Sequence, residues 1–437
     1  MNSRWYLLNP FNTFTANERR VIGMATLGGA LEFYDFIIFI FLAKVISPQY
    51  FPAEQPIYSL IGAFAAFAVG YLARPIGGLV FSHLGDTRGR KQVFYYSIML
   101  MALPTLLIAL LPTYHQVGIL APIGMLLLRI VQGLAVGGEI PGAITFTFEH
   151  VAPTQRNLAI VLILLGMTLA TLFGQIIVSS LMFLLSSDQF FAWGWRITFF
   201  IGAMLGLIGG YLRKNLGESP LFISLKAQGD LASTPLIQLC RQHPKAIVNS
   251  LAMVSLCAVS MLLLFMYMPI YLATNNPHLG GIGTLAHGLN TIHLITYTLA
   301  LLLAGYLGDR WPRKWLLRGG AAMLLLWSPW LFTWLITGTP LTVMLALSLL
   351  GMSFAAYAGC FAVVLAEQFP TAIRYTGISL SYNIAFALFG GTTPLVVTLL
   401  IQYTHSRIAP AYYLMCFALL GLLSTLFSTN GVVSRER

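Results

Sequence analysis

Apolar stretches of about 20 residues or more recur along the whole chain, and they constrain its fold more than any other feature. A helix of that length crosses the roughly 30 Å hydrocarbon core of a membrane. Their length excludes the strands of a membrane β-barrel, in which apolar and polar residues alternate over about ten residues. The sequence therefore predicts an all-α membrane protein with twelve transmembrane helices, at 21–46, 57–82, 93–112, 118–147, 158–185, 195–213, 247–273, 284–306, 317–337, 341–366, 376–401 and 412–428.

Charge is scarce in this chain and unevenly placed. Only 8% of the 437 residues are charged, whereas a water-soluble domain carries about 25%, so most of the surface must face lipid. Nineteen of the 24 Lys and Arg residues lie at the termini or in alternate loops, an excess that marks the cytoplasmic side. The net charge of +11 therefore reflects topology and does not indicate nucleic acid. We expect a multi-pass protein of the inner cell membrane, with both termini cytoplasmic and no cleavable signal peptide.

One short loop motif occurs twice, half a chain apart. The copies read LGDTRGRK (84–91) and LGDRWPRK (307–314), an offset of 223 residues. Internal duplication in a hydrophobic chain is typical of a transporter built from two related halves. We divide the chain into one six-helix half (1–213), a polar linker (214–246) and a second six-helix half (247–437). A second pair of residues recurs with an offset of 218, as Glu149 with Arg156 and Glu367 with Arg374.

Five further motifs, spread over almost the whole chain, carry a family resemblance. They read LEFYDF (31–36), ARPIGG (73–78), RIVQGLAVGGE (129–139), GESPLF (217–222) and FPTAIRYTG (369–377). With the two-halved plan, they make the chain resemble the major facilitator superfamily. Within it, the chain is similar to the metabolite:proton symporter group, which includes proline/betaine, α-ketoglutarate, citrate and shikimate transporters. The resemblance implies two pseudo-symmetric six-helix bundles, with a central cavity lined by helices one, four, seven and ten.

Two departures from related patterns narrow the function. Helix five has no proline between 165 and 175, so it lacks the Gly-Pro motif of the superfamily's drug/proton antiporters, which weighs against a drug exporter. The tail after the last apolar stretch has about nine residues. Osmosensing proline/betaine transporters carry a long coiled coil there, so we do not expect osmotic regulation.

Ionisable residues within the apolar stretches are the main functional candidates, because each costs roughly 2.5–3.5 kcal/mol to insert. Glu32 and Asp35 share one face of helix one, and Arg129 lies near the middle of helix four. Glu139 lies about 15 Å further toward the cytoplasm. A carboxylate pair beside an arginine can load or release a proton as substrate arrives and leaves. We assign proton coupling to Glu32, Asp35 and Glu139; the alternative is that these charges, with Arg74, only neutralise one another.

Arg129 is the predicted anion site, because its planar guanidinium is always charged and suits a carboxylate. The second half contributes no charge to the membrane interior, so its candidates are uncharged polar side chains, namely tyrosines, asparagines and histidines. Hydrogen bonding between helices is the alternative role for each of them. The other predicted substrate contacts are Gln132, Tyr34, Arg74, Tyr267, Tyr382 and Asn383.

The duplicated loop predicts a cytoplasmic gate. Asp86 follows helix two, where it can accept hydrogen bonds from a helix N-terminus in the other half. In the superfamily that the chain resembles, the matching Asp and Arg latch the halves together, here expected near Arg374. Solvated charge is the alternative. The predicted gate comprises Gly85, Asp86, Arg90, Asp309, Arg313 and Arg374.

Together these patterns predict a secondary active transporter that imports a small carboxylate or zwitterionic metabolite with protons by alternating access. A larger polycarboxylate, such as a citrate-type siderophore, remains open, as does, with less support, a drug or metabolite exporter. The four cysteines have no metal-ligand or disulfide spacing, and the motifs of membrane enzymes are missing. We therefore expect no enzymatic activity, no metal and no cofactor beyond the proton gradient. The expected partners are a small-molecule substrate and the lipid bilayer, with the protein a monomer.

Overall fold

The computed structural model describes residues 14–214, 217–228, 234–279 and 283–427. The two termini, on which the expectations about a signal peptide and a coiled coil rest, lie outside these residues. Within them, twelve helices are long and apolar enough to cross a membrane, which confirms the predicted fold class. Several begin or end a few residues away from the predicted stretches, because helical hydrogen bonding continues into the polar helix ends.

Apart from the linker between α6 and α7, the membrane helices follow one another with short connections. In chain order they are α1 (Ala16–Phe41), α2 (Pro56–Arg88), α3 (Arg90–Leu110), α4 (Leu120–His150), α5 (Arg156–Leu184), α6 (Trp195–Lys214), α7 (Pro244–Met261), α8 (Gly283–Gly308), α9 (Arg313–Thr337), α10 (Pro340–Glu367), α11 (Arg374–Ala385, resuming as Thr393–Thr404) and α12 (Ala409–Phe427).

Two helices of the second half contain a π-helical turn. In α7 the turn spans Leu262–Tyr267 and leads into a short helix, Met268–Asn275; in α11 it spans Phe386–Gly390. A π turn disturbs the regular backbone hydrogen bonds, and inside a membrane each freed group needs another partner. Asn290 of α8 supplies one by donating to the Phe265 carbonyl oxygen at 3.3 Å.

Small residues bring α2 and α4 together in the first half. A Cβ added at Gly133 would lie only 1.9 Å from the Gly70 carbonyl oxygen, so the two backbones are in direct contact. Such close approach is a main source of helix association in membranes, where apolar side chains gain little by leaving lipid. This packing fixes the depth of the charged residues on α2 and α4 relative to each other.

The two halves meet along contacts that follow the internal duplication. Helix α2 packs against α11, and α5 packs against α8. Both loop motifs, 84–91 and 307–314, lie on one membrane face, which we call the motif face. The linker contributes two short helices, Pro220–Gln228 and Pro235–Gln242, and the second packs against both α2 and α11. The proposed division at 213 and 247 stays a prediction.

Candidate functional site

Glu32 of α1 and Arg74 of α2 form a buried ion pair inside the membrane. The Arg74 Nη2 atom donates to Glu32 Oε1 at 2.9 Å, and both side chains are at most 2% exposed. The Arg74 guanidinium also lies 5.0 Å from the ring of Tyr71 and 5.5 Å from that of Phe386, which belongs to the second half. Glu32 Oε2 and Arg74 Nε have no hydrogen-bond partner. The pair thus lies at the boundary between the halves and retains one acceptor and one donor.

Asp35, Gln132 and Arg129 form a second buried group, within the first half. The Gln132 amide donates to Asp35 Oδ2 and, at 2.9 Å, to Thr105 Oγ1, while its oxygen accepts from Arg129 Nη1 at 3.0 Å. The Arg129 guanidinium carbon lies 3.6 Å from the centre of the Phe39 ring. Asp35 Oδ1 and two Arg129 nitrogens, Nε and Nη2, lack partners. Because Thr105 belongs to α3, this group links α1, α3 and α4 within the first half.

Glu139 has a partner that the sequence did not indicate. Arg213 at the end of α6 donates to both of its oxygens, at 2.9 and 2.5 Å, and Ser97 donates at 2.6 Å. In the sequence, Arg213 counts among the basic residues at the cytoplasmic side, but its side chain is only 1% exposed. A carboxylate with both oxygens bound in this way is well suited to a permanent ion pair. The role of Glu139 in proton coupling stays a prediction.

Two of the predicted substrate contacts, Tyr34 and Tyr267, each form a hydrogen bond within their own half. The Tyr34 hydroxyl donates to the Thr198 carbonyl oxygen at 2.8 Å, which ties α1 to α6. The Tyr267 hydroxyl lies 3.0 Å from Thr398 Oγ1, which ties the π turn after α7 to α11. Both arrangements match the alternative of hydrogen bonding between helices, and a part in substrate binding would require these bonds to change.

Two neighbouring residues of α11 lie between the halves. The Asn383 amide donates to the Gly137 carbonyl oxygen of α4 at 2.7 Å, which joins the two halves. The Tyr382 ring stacks on Phe386 at 4.4 Å and lines a small cavity between the halves. The role of both residues in substrate binding stays a prediction.

Asp86 makes the hydrogen bonds that its position predicted. At the end of α2 it accepts from the Thr376 backbone N–H at 2.9 Å and from its hydroxyl at 2.8 Å, in the first turn of α11 in the other half. Arg90 pairs with the same carboxylate at 3.1 Å. Gly85 permits this approach, because an added Cβ would lie 2.3 Å from a ring carbon of Tyr375. The gating role stays a prediction.

Asp309 repeats this contact in the second motif copy. It accepts from the backbone N–H groups of Asn157 and Leu158, both at 2.9 Å, at the start of α5. Each duplicated aspartate thus satisfies the free donors at a helix N-terminus of the opposite half. Burial raises the pKa of Asp309 to about 6, although the N–H groups of Leu158 and Asn157 and then the charge of Arg313 lower it. This arrangement therefore holds a proton more tightly than a carboxyl group in water does.

Glu149 contacts residues of the predicted gate, although the predicted set omitted it. It accepts from Arg90 at 3.2 Å, from Arg374 of the second half at 3.2 Å, and from Ser219 of the linker at 2.5 Å. One carboxylate thus joins both halves and the linker on the motif face. The repeat of Glu149 as Glu367, which pairs with Arg313, was the sequence signal that could have identified it.

Comparisons with known proteins agree with this architecture. The model of the Major Facilitator Superfamily matches residues 25–289. The chain is 33% identical over 423 residues to the glycine betaine/proline/ectoine/pipecolic acid transporter OusA of Dickeya dadantii, covering 94% of this chain and 83% of that protein. It is 34% identical over 433 residues to a putative proline/betaine transporter of Staphylococcus aureus, covering 95% and 89%.

The fold is also that of a solved transporter. The structure of the proton:xylose symporter XylE bound to 6-bromo-6-deoxy-D-glucose matches with a TM-score of 0.78 and 15% identity, over 94% of this chain and 95% of that one. The protein is thus a multi-pass membrane transporter and not an enzyme. It belongs to the major facilitator superfamily, in the metabolite:proton symporter group that its motifs resemble.

Proposed function

We propose that this protein imports a small zwitterionic metabolite together with protons, by alternating access of a central site to the two membrane faces. The observation that carries the proposal is the Glu32–Arg74 ion pair at the boundary between the halves, with one unpaired acceptor and one unpaired donor. The Arg74 guanidinium at this boundary complements the carboxylate of a zwitterion, which would displace Glu32 from it. The relatives named above support this substrate class, because glycine betaine, proline, ectoine and pipecolic acid are all zwitterions.

The same pair offers a physical basis for coupling to protons. When a substrate carboxylate binds Arg74, it competes with Glu32 for the guanidinium. A buried carboxylate that loses its counter-ion takes up a proton more readily, because the charged form is poorly solvated there. Substrate and proton would therefore favour each other's binding, as symport requires. Asp35, with its own unpaired oxygen, is the second candidate for the proton.

The contacts on the motif face support a state closed on that side. Asp86 and Asp309 each bind a helix N-terminus of the opposite half, so opening the halves there would break both contacts. We place the motif face in the cytoplasm, on the excess of Lys and Arg in its loops. In this arrangement the protein would receive substrate from the outside.

Transport by the purified protein in liposomes tests the proposal. Without an imposed gradient, added glycine betaine or proline should carry protons inward and raise the external pH. With an inward proton gradient, labelled substrate should accumulate. A panel that includes dicarboxylates and iron–citrate chelates addresses the alternative substrates. A constant external pH during substrate uptake, or accumulation abolished by removing sodium alone, would contradict proton symport.

A further inference from the structure

Gln132 lies between the two charged side chains of the second buried group. Its amide nitrogen donates to Asp35 Oδ2 of α1, and its amide oxygen accepts from Arg129 Nη1 at 3.0 Å. Asp35 Oδ1 and the Arg129 Nε and Nη2 atoms have no hydrogen-bond partner. All three side chains are buried, at most 2% exposed. The carboxylate and the guanidinium are therefore joined only through the amide.

This separation distinguishes Asp35 from the other buried carboxylates. Among the described residues there are four others, and each has an arginine nitrogen within 3.2 Å: Glu32 with Arg74, Asp86 with Arg90, Glu139 with Arg213, and Glu149 with Arg90 and Arg374. Direct contact with an arginine holds a carboxylate in its charged form. In the substrate-free arrangement, Asp35 is thus the buried carboxylate best placed to gain a proton.

The orientation of the Gln132 amide is fixed by its neighbours. The Thr105 hydroxyl donates to the Met101 carbonyl oxygen at 2.9 Å, so its oxygen is left to accept from Gln132, also at 2.9 Å. The amide nitrogen therefore faces two acceptors, and the amide oxygen faces a cation. A reversed amide would place its oxygen against the carboxylate and its N–H groups against the guanidinium, which is unfavourable. Helix α3 thus helps to hold Gln132 between the two charges.

We propose that Gln132 is a positioning residue for proton coupling, which keeps Asp35 and Arg129 apart so that Asp35 can gain and lose a proton inside the membrane. The inference rests on the proposed function and adds Asp35 to Glu32 as a proton site. A proton from external water binds the free Asp35 Oδ1 and leaves the hydrogen bond from Gln132 to Oδ2 intact; release to the cytoplasm reverses this step. Arg129 stays charged, stabilised by the Phe39 ring at 3.6 Å and by the Gln132 oxygen.

Arg129 is the charged side chain that faces Asp35 among the described residues. On α1 itself, Glu32 pairs with Arg74 and the Tyr34 hydroxyl donates to a main-chain carbonyl oxygen. Helices α2 to α6 and the short helix Ala43–Tyr50 pack against α1. Their other charged side chains lie near the helix ends or are engaged elsewhere: Glu139 with Arg213, Arg196 with main-chain carbonyl oxygens, and Lys44 exposed. The proton affinity of Asp35 therefore depends mainly on its separation from Arg129.

Two substitutions of Gln132 should move the pH dependence of transport in opposite directions. Gln132→Leu removes the amide, so Asp35 and Arg129 can form a direct ion pair, and half-maximal uptake should need an external pH lower by at least about one unit. Gln132→Glu places a second carboxylate beside Asp35. Because two adjacent carboxylates resist being charged together, half-maximal uptake should then occur at a pH higher by at least about one unit.

The measurement is uptake of labelled proline or glycine betaine into liposomes at a constant internal pH and a series of external pH values. Each variant is compared with its own maximal rate, so a change in rate alone does not count. A purely structural role would move the profile in neither variant, or in the same direction in both, and either result would overturn the proposal. Weaker substrate binding with an unmoved profile would return Gln132 to the substrate contacts predicted from the sequence.

Gln49→Leu is the matched control. Gln49 is a buried glutamine of the first half, and its amide donates to the main-chain carbonyl oxygens of Val45 and Phe191. Both partners are uncharged, so the same substitution here should leave the pH of half-maximal uptake unchanged.

Infrared difference spectra between neutral and acid pH need no variant of Gln132. The parent protein should show a carboxylic-acid band that Asp35→Asn lacks, and the same band in both proteins would overturn the proposal. If neither proline nor glycine betaine is transported with protons, the proposed function fails. If they are transported with protons and the pH profile does not respond to Gln132, only this inference is refuted.

Discussion

Replacing Asp86 by Asn should open the protein at the motif face without weakening substrate binding. The carboxylate accepts two hydrogen bonds from Thr376, at 2.9 and 2.8 Å, and pairs with Arg90 at 3.1 Å. Asparagine keeps the shape and one acceptor oxygen but removes the charge. Loss of one charge-assisted hydrogen bond costs roughly 1.5–3 kcal/mol. The equilibrium between closed and open forms should therefore shift about ten- to a hundred-fold toward the open form.

Cys360 provides the measurement for this prediction. Its thiol is buried where the halves meet, and the Asn157 amide donates to its sulfur at 3.2 Å. Alkylation requires the halves to separate, so its rate follows the opening equilibrium. In Asp86→Asn the rate, followed for each cysteine by mass spectrometry, should rise about ten- to a hundred-fold. The exposed Cys240 of the linker helix should react equally in both proteins.

Asp188→Asn is the matched control for the latch. Asp188 is an exposed residue in the short helix Ser187–Gln189, at the opposite end of α5 from the motif face. Its replacement should leave alkylation of Cys360 unchanged. Equal alkylation rates in the parent and in Asp86→Asn would refute the latch. A folded Asp86→Asn protein that had lost substrate affinity by more than a few-fold would place Asp86 in the binding site instead.

Three further predictions concern the membrane charges and pH. Asp35→Asn or Glu32→Gln should abolish proton-driven accumulation in liposomes, while at least one of them still exchanges substrate; loss of exchange in both would indicate binding defects. Arg74→Ala removes the proposed partner of the substrate carboxylate and should weaken substrate binding about ten- to a hundred-fold by calorimetry, and unchanged affinity would make Arg74 a structural counter-ion and leave Arg129, the anion site predicted from the sequence, as the candidate. Burial holds the pKa of Asp309 at about 6 when the gate is closed, against about 3.9 in water. Protons thus favour closure at Asp309, in contrast to Asp86, because Arg313 lies 3.9 Å from Asp309 and pairs with Glu367, whereas Arg90 lies 3.1 Å from Asp86. Lowering the pH from about 7 to about 5 should therefore slow alkylation of Cys360 relative to the exposed Cys240 of the linker. Asp309→Asn should remove this effect, and a pH dependence unchanged in that variant would contradict it.

The parts of the structure that follow from local sequence were predictable. Twelve helices follow from the length of the apolar stretches, since a chain in lipid must satisfy its own backbone groups. The bond from Asp86 to the first turn of α11 follows from the charge at a helix end. The helices depend on the composition of single segments, and the Asp86 bond depends on the position of that residue in the repeated motif.

Pairings between distant helices could not be derived in the same way. Arg213 reads as one more basic residue at the end of a helix, and only folding brings it to Glu139, 74 positions earlier. Gln132 was assigned to substrate, yet it links Asp35 to Arg129. A buried polar residue has several possible partners, and helix rotation and depth decide which of them it meets. A nearly uniformly apolar helix has no sequence periodicity that specifies its rotation or depth.

The division of chemistry between the halves suggests how transport is kept coupled. The ion pair belongs to the first half, and Phe386 of the second half lies 5.5 Å from the Arg74 guanidinium, so a substrate bound to Arg74 lies where the two halves meet. The empty protein is also neutral at this point, because Glu32 pairs with Arg74. Substrate without a proton would leave Glu32 buried and charged without its counter-ion, which costs several kcal/mol. Only the empty form and the form loaded with both substrate and proton then bury no carboxylate without a partner, and those are the two forms that a symporter must allow to change sides.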